Sequence, residues 1–193
     1  MPKPRTPGPT VLVCPATFPI PPGSIAESPN LVVNGGFDTP RITGRRTVSS
    51  LAGWLVSGTV KLVAPASCDA VPGSGQYVAL GYGASISQAV PTIPGKLYLF
   101  QIYDSMEGIC NVAGSVLDAY WNSTPVGAAI TTATGRTPDA GDSAWGSYGA
   151  YASTSMAKSS TSVIRIVATT EAFSCAFDVA NVSVTLKPPT PKL

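Results

Sequence analysis

"NLVVNGGFDTP", residues 30–40, joins a run of strand-forming residues to a sharp break and an acid. The aliphatic residues 31–33 favour an extended strand, because such side chains pack well on a pleated surface. Two glycines follow, and Phe37 and Asp38 come directly after them. The segment predicts an opening strand over residues 31–38, with a bend at the glycine pair that turns Asp38 and nearby carbonyls towards another part of the sheet.

The rest of the middle region shows the same short runs of alternating apolar and polar residues between turn signals. Glycine and proline number 19 each, and no segment keeps a 3.6-residue apolar period, so the chain is predicted to be all-β. Ten antiparallel strands with short turns favour a two-sheet jelly-roll sandwich over residues 31–186. The predicted strands are 31–38, 54–63, 75–82, 84–90, 96–105, 113–122, 126–132, 145–154, 162–170 and 175–186.

The two ends differ from this middle region by their prolines. Residues 1–30 hold nine of the 19 prolines, and residues 187–193 hold three more. Proline lacks an amide donor and breaks helices and central strands, so residues 1–30 are predicted to form an extended arm. Its apolar residues, among them Phe18 and Ile20, would favour docking on the domain or on a neighbouring subunit. Residues 187–193 are predicted to be a proline-rich tail.

Charge and residue types exclude several classes of function. The formal net charge is +2 and only 11% of residues are charged, so the chain lacks the basic face that nucleic-acid binding needs. The sequence contains no run of 18 apolar residues, so it predicts no membrane-spanning helix. The sequence contains no histidine, which removes the serine–histidine and cysteine–histidine nucleophile systems. Together with the lack of a convincing acid pair for glycoside hydrolysis, this predicts a protein that is not an enzyme and has no organic cofactor.

Four cysteines stand at positions 14, 68, 110 and 175. Their even number and wide spacing suit two disulfides and an oxidising destination. Buried free thiols are the alternative reading.

Four segments then carry a resemblance to a known family. They are "NLVVNGGFDTP", "LAGWLVSGTVKLV", "VPGSGQYVALGYGASISQAVPTIPGKLYLFQI" and "CAFDVANVSV". In this order they resemble the galactose-binding-like β-sandwich of the plant cell-wall domain family of unknown function, and the related bacterial choice-of-anchor C extracellular domains. The resemblance implies secretion and association with cell-wall polysaccharide, without catalysis. It also implies a disulfide between Cys110 and Cys175 and, with it, a second bridge between Cys14 and Cys68.

The same resemblance implies a structural calcium ion held by Asp38 and Asp178. Asp178 shares strand parity with Val182 and Val184, so an unbroken strand would point its carboxylate into the core, where a cation or hydrogen-bond donors must satisfy it. Calcium needs six to eight oxygens, so backbone carbonyls would complete the shell. The alternative is that Asp38 caps a turn and Asp178 accepts backbone hydrogen bonds.

Aromatic side chains are the other candidate site, because exposed rings serve as stacking platforms for sugars. Trp54 is predicted to belong to the core instead. Each platform candidate has packing in the core as its alternative role. The candidate platform residues are Tyr82, Trp121, Trp145 and Tyr151, and the candidate polar partners are Gln76, Gln88, Gln101, Asp104 and Asn111.

These observations predict an extracellular, non-catalytic carbohydrate-binding module, associated with a cell wall or surface, whose partner is a polysaccharide or glycan. The alternative is a structural subunit of an extracellular assembly, such as a virion decoration, a capsid or tail protein, or a cell-surface filament. Such a subunit would dock on its neighbours through the arm.

Overall fold

A computed structural model describes residues 28–64, 75–106, 115–127, 130–131, 151–169 and 176–188. In these ranges the chain forms strands and turns, and no helix there is long and apolar enough to cross a membrane. Residues 1–27 of the predicted arm, most of the tail and all four cysteines lie outside the described residues. Both disulfides therefore stay predictions.

Twelve strands form within the described ranges. Most of the predicted strands are present, although their bounds shift by a few residues. The strands are β1 (Gly44–Val48), β2 (Leu55–Ser57), β3 (Val60–Ala64), β4 (Tyr77–Leu80), β5 (Ser85–Pro91), β6 (Leu97–Met106), β7 (Val116–Trp121), β8 (Thr124–Pro125), β9 (Ile130–Thr131), β10 (Tyr151–Met156), β11 (Thr161–Thr169) and β12 (Phe177–Leu186).

The strands build two antiparallel sheets. The first sheet has the order β1-β3-β4-β12-β6-β10, and the second has the order β2-β5-β11-β7-β8 with β9 also paired to β7. Neighbours in each sheet are often far apart in sequence, as in the pairing of β12 with both β4 and β6. The predicted all-β, two-sheet sandwich is confirmed.

The core lies between the two sheets and follows from strand alternation. On β11, Ile164 and Ile166 are fully buried, whereas Val163 and Arg165 between and beside them are exposed. Phe100 of β6 supplies one of the largest fully buried side chains from the first sheet. Trp54 is also buried, at 5% exposure, so its predicted place in the core is confirmed.

The opening stretch differs from the prediction, because residues 31–38 form turns rather than a strand. Asn34 and Phe37 adopt positive backbone angles, with φ of 54° and 57°. Both glycines lack such an angle, and Gly35 has a different role: a Cβ added there would lie 2.1 Å from the carbonyl oxygen of Val182. The glycine therefore serves the close approach of the opening stretch to β12.

Buried amide side chains replace the missing strand ladder. Gln88 of β5 accepts a hydrogen bond from the Val33 amide at 2.7 Å and donates one to the Val33 carbonyl at 2.9 Å. Gln76 donates to the carbonyl of Phe37 at 2.6 Å and accepts from the amide of Ile42 at 2.7 Å. These two glutamines thus satisfy backbone groups of the opening stretch, and their predicted role as polar partners of a ligand does not fit these contacts.

We expect the change Gln88→Leu to lower the free energy of unfolding by about 1–3 kcal/mol. Leucine has a similar volume but leaves the amide and the carbonyl of Val33 without the partners they have in the native structure. Urea denaturation followed by tryptophan fluorescence measures the effect. The half-buried Gln101 on β6 offers the matched control, and Gln101→Leu should change stability by less than about 0.5 kcal/mol. Equal losses in both variants would contradict the clamping role of Gln88.

The predicted strand 54–63 is divided in two. Gly58 interrupts it with φ of 75°, and a Cβ there would lie 2.9 Å from the Cα of Ala84. Only glycine fits such a bend at this distance, so the chain leaves the second sheet after β2 and enters the first sheet at β3. β1, which pairs with β3, was not predicted.

Candidate functional site

Asp178 lies on the outer face of the first sheet rather than in the core between the sheets. The pairing of β12 with β6 shifts register between Ala180 and Ser183, and Asn181 in this irregularity has φ of 44°. A bulge of this kind adds a residue to one strand and inverts the alternation beyond it. Val182 beyond the bulge therefore faces the core, as Val179 does before it. The prediction that Asp178 points into the core was wrong, because the strand is not continuous between Asp178 and Val182.

Although it points outwards, Asp178 is only 3% exposed. It lies opposite Ala79 on one side and Ser105 on the other, and its Oδ1 atom has no hydrogen-bond partner within the described ranges. Burial raises the pKa of Asp178 from 3.8 to about 8, and the positive charge of Arg45 partly offsets that rise. The carboxyl group is therefore protonated near neutral pH and makes a poor anionic ligand in that state.

Asp38 and the Gly35 carbonyl, two groups near the predicted calcium site, have partners within the protein. Asp38 forms an ion pair with Arg41 at 3.5 Å, so the two acids face different arginines. The carbonyl of Gly35 accepts a hydrogen bond from the Val182 amide at 2.9 Å. Within the described ranges, no group of three or more acidic or cysteine side chains could hold an ion. Calcium at Asp38 and Asp178 stays a prediction.

Tyr82 and Trp121, the two predicted platform residues whose side chains the structure describes, do not share a surface. Trp121 is 4% exposed and stacks on Tyr98 in the core, with ring centroids 5.9 Å apart. Its platform role was wrong, because its position on β7 faces inwards. Tyr82 is 51% exposed on the turn between β4 and β5. Trp145 and the side chain of Tyr151 lie outside the described residues.

The remaining predicted polar partners are also dispersed. Asp104 is 1% exposed, on the same face of β6 as the core residue Ile102. Gln101 is half-buried on the opposite face of that strand, and Asn111 lies outside the described residues. Asp104 and Gln101 therefore do not form a site together.

The outer face of the second sheet gathers a different set of polar and aromatic side chains. Arg165 at the centre of β11 lies opposite Tyr120 on β7 and opposite Ser87 on β5. Ser87 in turn lies opposite Leu55 on β2, which is 77% exposed. Side chains directly opposite each other have Cβ atoms about 4.5–5.5 Å apart, so these residues form a continuous row across four strands.

A second row runs beside the first and adds hydrogen-bonding groups. Val167 of β11 lies opposite Asp118 on β7 and Ser85 on β5. The guanidinium of Arg165 reaches the hydroxyl of Ser85 at 3.5 Å. We call the two rows the Tyr120–Arg165 face, which comprises Leu55, Ser85, Ser87, Asp118, Tyr120 and Arg165.

The charges of this face are available to a ligand. No ion pair joins Arg165 to Asp118 in the part of the chain that the structure describes. Arg165 is exposed, and Asp118 and Tyr120 are half-buried, so their packed stems hold their polar ends near the surface. The face offers guanidinium donors, carboxylate acceptors, hydroxyls and the side of an aromatic ring within a few strand spacings.

Sequence reasoning missed the Tyr120–Arg165 face for an identifiable reason. Alternation in "VLDAYW" places Asp118 and Tyr120 on the face opposite Trp121, and alternation in "TSVIRIVAT" places Arg165 opposite its buried neighbours. Those local signals were present. Their meeting depends on the pairing of β7 with β11, two strands separated by a long stretch of chain.

Comparison with known proteins supports the fold. No protein-family model and no curated protein matches the chain. Among solved structures, TmCBM61 in complex with β-1,4-galactotriose is 14% identical, with a TM-score of 0.55, over 83% of this chain and 100% of that chain. A cyclase from Fischerella sp. TAU in complex with 4-(1H-indol-3-yl)butan-2-one is 15% identical, with a TM-score of 0.59, over 86% of this chain and 100% of that chain.

At such low identities the likeness shows the fold alone. The chain has a β-sandwich similar to that of a carbohydrate-binding module, which agrees with the galactose-binding-like fold implied by the sequence resemblance. The particular family stays a prediction, because no family model matches. Function has to be argued from the site.

Proposed function

We propose that the protein is a non-catalytic, extracellular carbohydrate-binding module that takes a glycan on the Tyr120–Arg165 face. The observation that carries this proposal is the row in which Tyr120, Arg165 and Ser87 lie opposite one another on adjacent strands. The similarity of the fold to a module solved with β-1,4-galactotriose supports the same class.

The chemistry of the face suits a sugar. A pyranose ring has an apolar side that packs on an aromatic ring, and Tyr120 presents one beside Arg165. Sugar hydroxyls both donate and accept hydrogen bonds, so a donor-only guanidinium and an acceptor-only carboxylate can each hold one. Arg165 and Asp118 occupy diagonal positions on adjacent strands, and such positions lie roughly 7–8 Å apart. This spacing leaves room for a ligand hydroxyl between the two side chains.

The same face supports binding rather than hydrolysis. Glycoside hydrolysis uses two carboxyl groups that flank the scissile bond. Among the described residues of the Tyr120–Arg165 face, Asp118 is the single carboxylate. We therefore propose recognition without bond cleavage.

We expect Tyr120→Ala and Arg165→Ala each to weaken glycan binding at least tenfold, because each removes a group that contacts the sugar directly. A glycan array that includes β-1,4-galactan oligosaccharides identifies the ligand, and isothermal titration calorimetry with that oligosaccharide measures the affinities. Tyr82→Ala is the matched control, since Tyr82 is exposed but belongs to a turn outside the face. It should leave the affinity within about twofold.

Two results would contradict the proposal. A folded wild-type protein that binds no oligosaccharide at millimolar concentration would remove the function itself. If Tyr82→Ala abolished binding while Tyr120→Ala and Arg165→Ala left it intact, the function would stand and the site would be wrong.

We propose as a second function that the protein is a structural subunit of an extracellular assembly, joined to its neighbours through the proline-rich arm. The position of the arm favours it: residues 1–27 lead directly into Ser28, which lies at the rim of an apolar groove. Mass measurement of the full chain over a range of concentrations tests this function. A mass that stays monomeric at every concentration would exclude it.

A further inference from the structure

An apolar groove opens at one end of the sandwich and shares no lining residue with the Tyr120–Arg165 face. Its volume is about 320 Å³. The segment before the opening bend, the β5–β6 loop and the ends of β6 and β12 form its walls. The lining residues are Ser28, Pro29, Leu31, Pro91, Thr92, Ile93, Tyr98 and Leu186.

The hydroxyl groups that line this groove are engaged within the protein. Ser28 accepts a hydrogen bond from the Leu186 amide at 2.6 Å and donates to the Leu186 carbonyl at 3.2 Å. Thr92 donates to the Ser159 carbonyl at 2.9 Å, and the Tyr98 hydroxyl accepts from the Ile93 amide at 2.9 Å. A ligand rich in hydroxyls would find few free partners here, so the groove suits an apolar occupant.

Ile93 strengthens this conclusion. Its side chain is 55% exposed at the groove, although most large aliphatic side chains of the described residues are buried. With Pro29, Pro91 and Leu186 it makes a surface of proline and aliphatic groups, whereas the ring of Tyr98 is only 2% exposed. A proline-rich segment with aliphatic side chains suits such a groove, because its extended backbone is already ordered and loses little entropy on binding.

The chain itself contains such a segment. Residues 15–22, "PATFPIPP", carry four prolines, Phe18 and Ile20, and no charge. They lie a few residues before Ser28, which is part of the groove rim. Eight prolines among residues 1–27 favour an extended arm, which at about 3.1 Å per residue would carry residues 15–22 roughly 20–40 Å away from Ser28. That distance exceeds the roughly 15 Å radius of gyration expected for a domain of this size.

We propose that residues 15–22 of one copy bind in the apolar groove of a second copy. This inference deepens the second proposed function by naming the two surfaces that meet. Because the arm and the groove are different surfaces, the contact is head-to-tail, and each associated pair keeps one free arm and one free groove. Association of this type continues into chains or closes into rings.

Two variants of the full-length chain test the contact. Ile93→Asp places a charge in the groove, and the double change Phe18→Asp with Ile20→Asp places charges on the arm. Leu55→Asp is the matched control, since Leu55 is even more exposed, at 77% against 55% for Ile93, and does not line the groove. Sedimentation velocity over a range of concentrations, in the presence of a reductant to exclude intermolecular disulfides, measures the mass of each protein. Near-UV circular dichroism verifies that each variant is folded.

We expect the wild type and Leu55→Asp to form oligomers whose mass rises with concentration. Each test variant alone should associate at least tenfold more weakly. An equimolar mixture of the two test variants should form dimers and nothing larger. In each dimer the intact arm of the Ile93→Asp chain binds the intact groove of the arm variant, and no second intact pair remains.

The outcomes separate this inference from the function on which it rests. If the wild type is monomeric at every concentration, both fail. If the wild type associates but Ile93→Asp and the arm variant associate equally well, assembly holds and the groove contact is overturned. If the mixture forms no dimers, the arm does not enter the groove of a second copy.

Discussion

Phe37→Ala is expected to lower the free energy of unfolding by about 3–5 kcal/mol, close to the whole stability of many small domains. The side chain is fully buried and packs on Trp54, with ring centroids 5.6 Å apart and planes tilted by 35°. Alanine leaves a cavity that the clamped backbone around it cannot fill, because Gln76 holds the Phe37 carbonyl in place. The variant also keeps the positive φ of 57° without the packing that compensates for it.

Urea denaturation followed by the fluorescence of Trp54 and the other tryptophans measures this loss. Val33→Ala is the matched control, because Val33 belongs to the same stretch but is 61% exposed. Its free energy of unfolding should stay within about 0.5 kcal/mol of the wild type. A loss below about 1 kcal/mol in Phe37→Ala would show that the opening stretch contributes little to the core.

The predictable part of this fold is the part in which local alternation and burial agree. In β11 the buried residues Ile164 and Ile166 alternate with exposed ones along the whole strand, and the sequence shows that period directly. Alternation in the sequence likewise places Val184 of β12 and Phe100 of β6 on one face of their strands, and the two residues lie opposite each other in the core. A strand with one buried face has one register that keeps its apolar residues inside.

The opening stretch could not be predicted in this way because distant side chains determine its backbone. Val33 is clamped by Gln88, 55 residues further along the chain, and Phe37 by Gln76, 39 residues further along. The sequence alone does not distinguish a glutamine that forms hydrogen bonds with backbone groups from one that binds a ligand. Local preference therefore favoured a strand, whereas tertiary hydrogen bonds hold a turn.

The candidate site could not be predicted because strand register, rather than composition, determines which of its residues meet. A single extra residue near Asn181 moves Asp178 to the other face of its sheet, and no local signal marks that bulge. In the second sheet, Tyr120 and Arg165 become neighbours through a pairing between strands more than 40 residues apart. Alternation assigns each residue to a face, but it cannot state which residues on that face meet.

Asp178→Asn is expected to raise stability at pH 8 by several kcal/mol, because the buried carboxyl group opposes folding once it has to ionise. Its pKa is about 8 in the folded protein and near 3.8 when unfolded. Between these values the folded chain keeps a proton that the unfolded chain releases, so the free energy of unfolding falls as the pH rises from about 4 to about 8. At about 1.36 kcal/mol per pKa unit, the total loss is on the order of 5 kcal/mol. Asparagine does not titrate and removes this dependence.

Urea denaturation at pH 4, 6 and 8 separates this effect from a simple change in packing. At pH 4 the variant and the wild type should be equally stable to within about 1 kcal/mol, because the wild-type carboxyl group is neutral in the folded state and only about half ionised in the unfolded state. The difference should then grow steadily in favour of Asp178→Asn up to pH 8. If Asp178→Asn loses stability between pH 4 and pH 8 as steeply as the wild type, then another group causes the slope, and the carboxyl group of Asp178 is solvated in the folded protein.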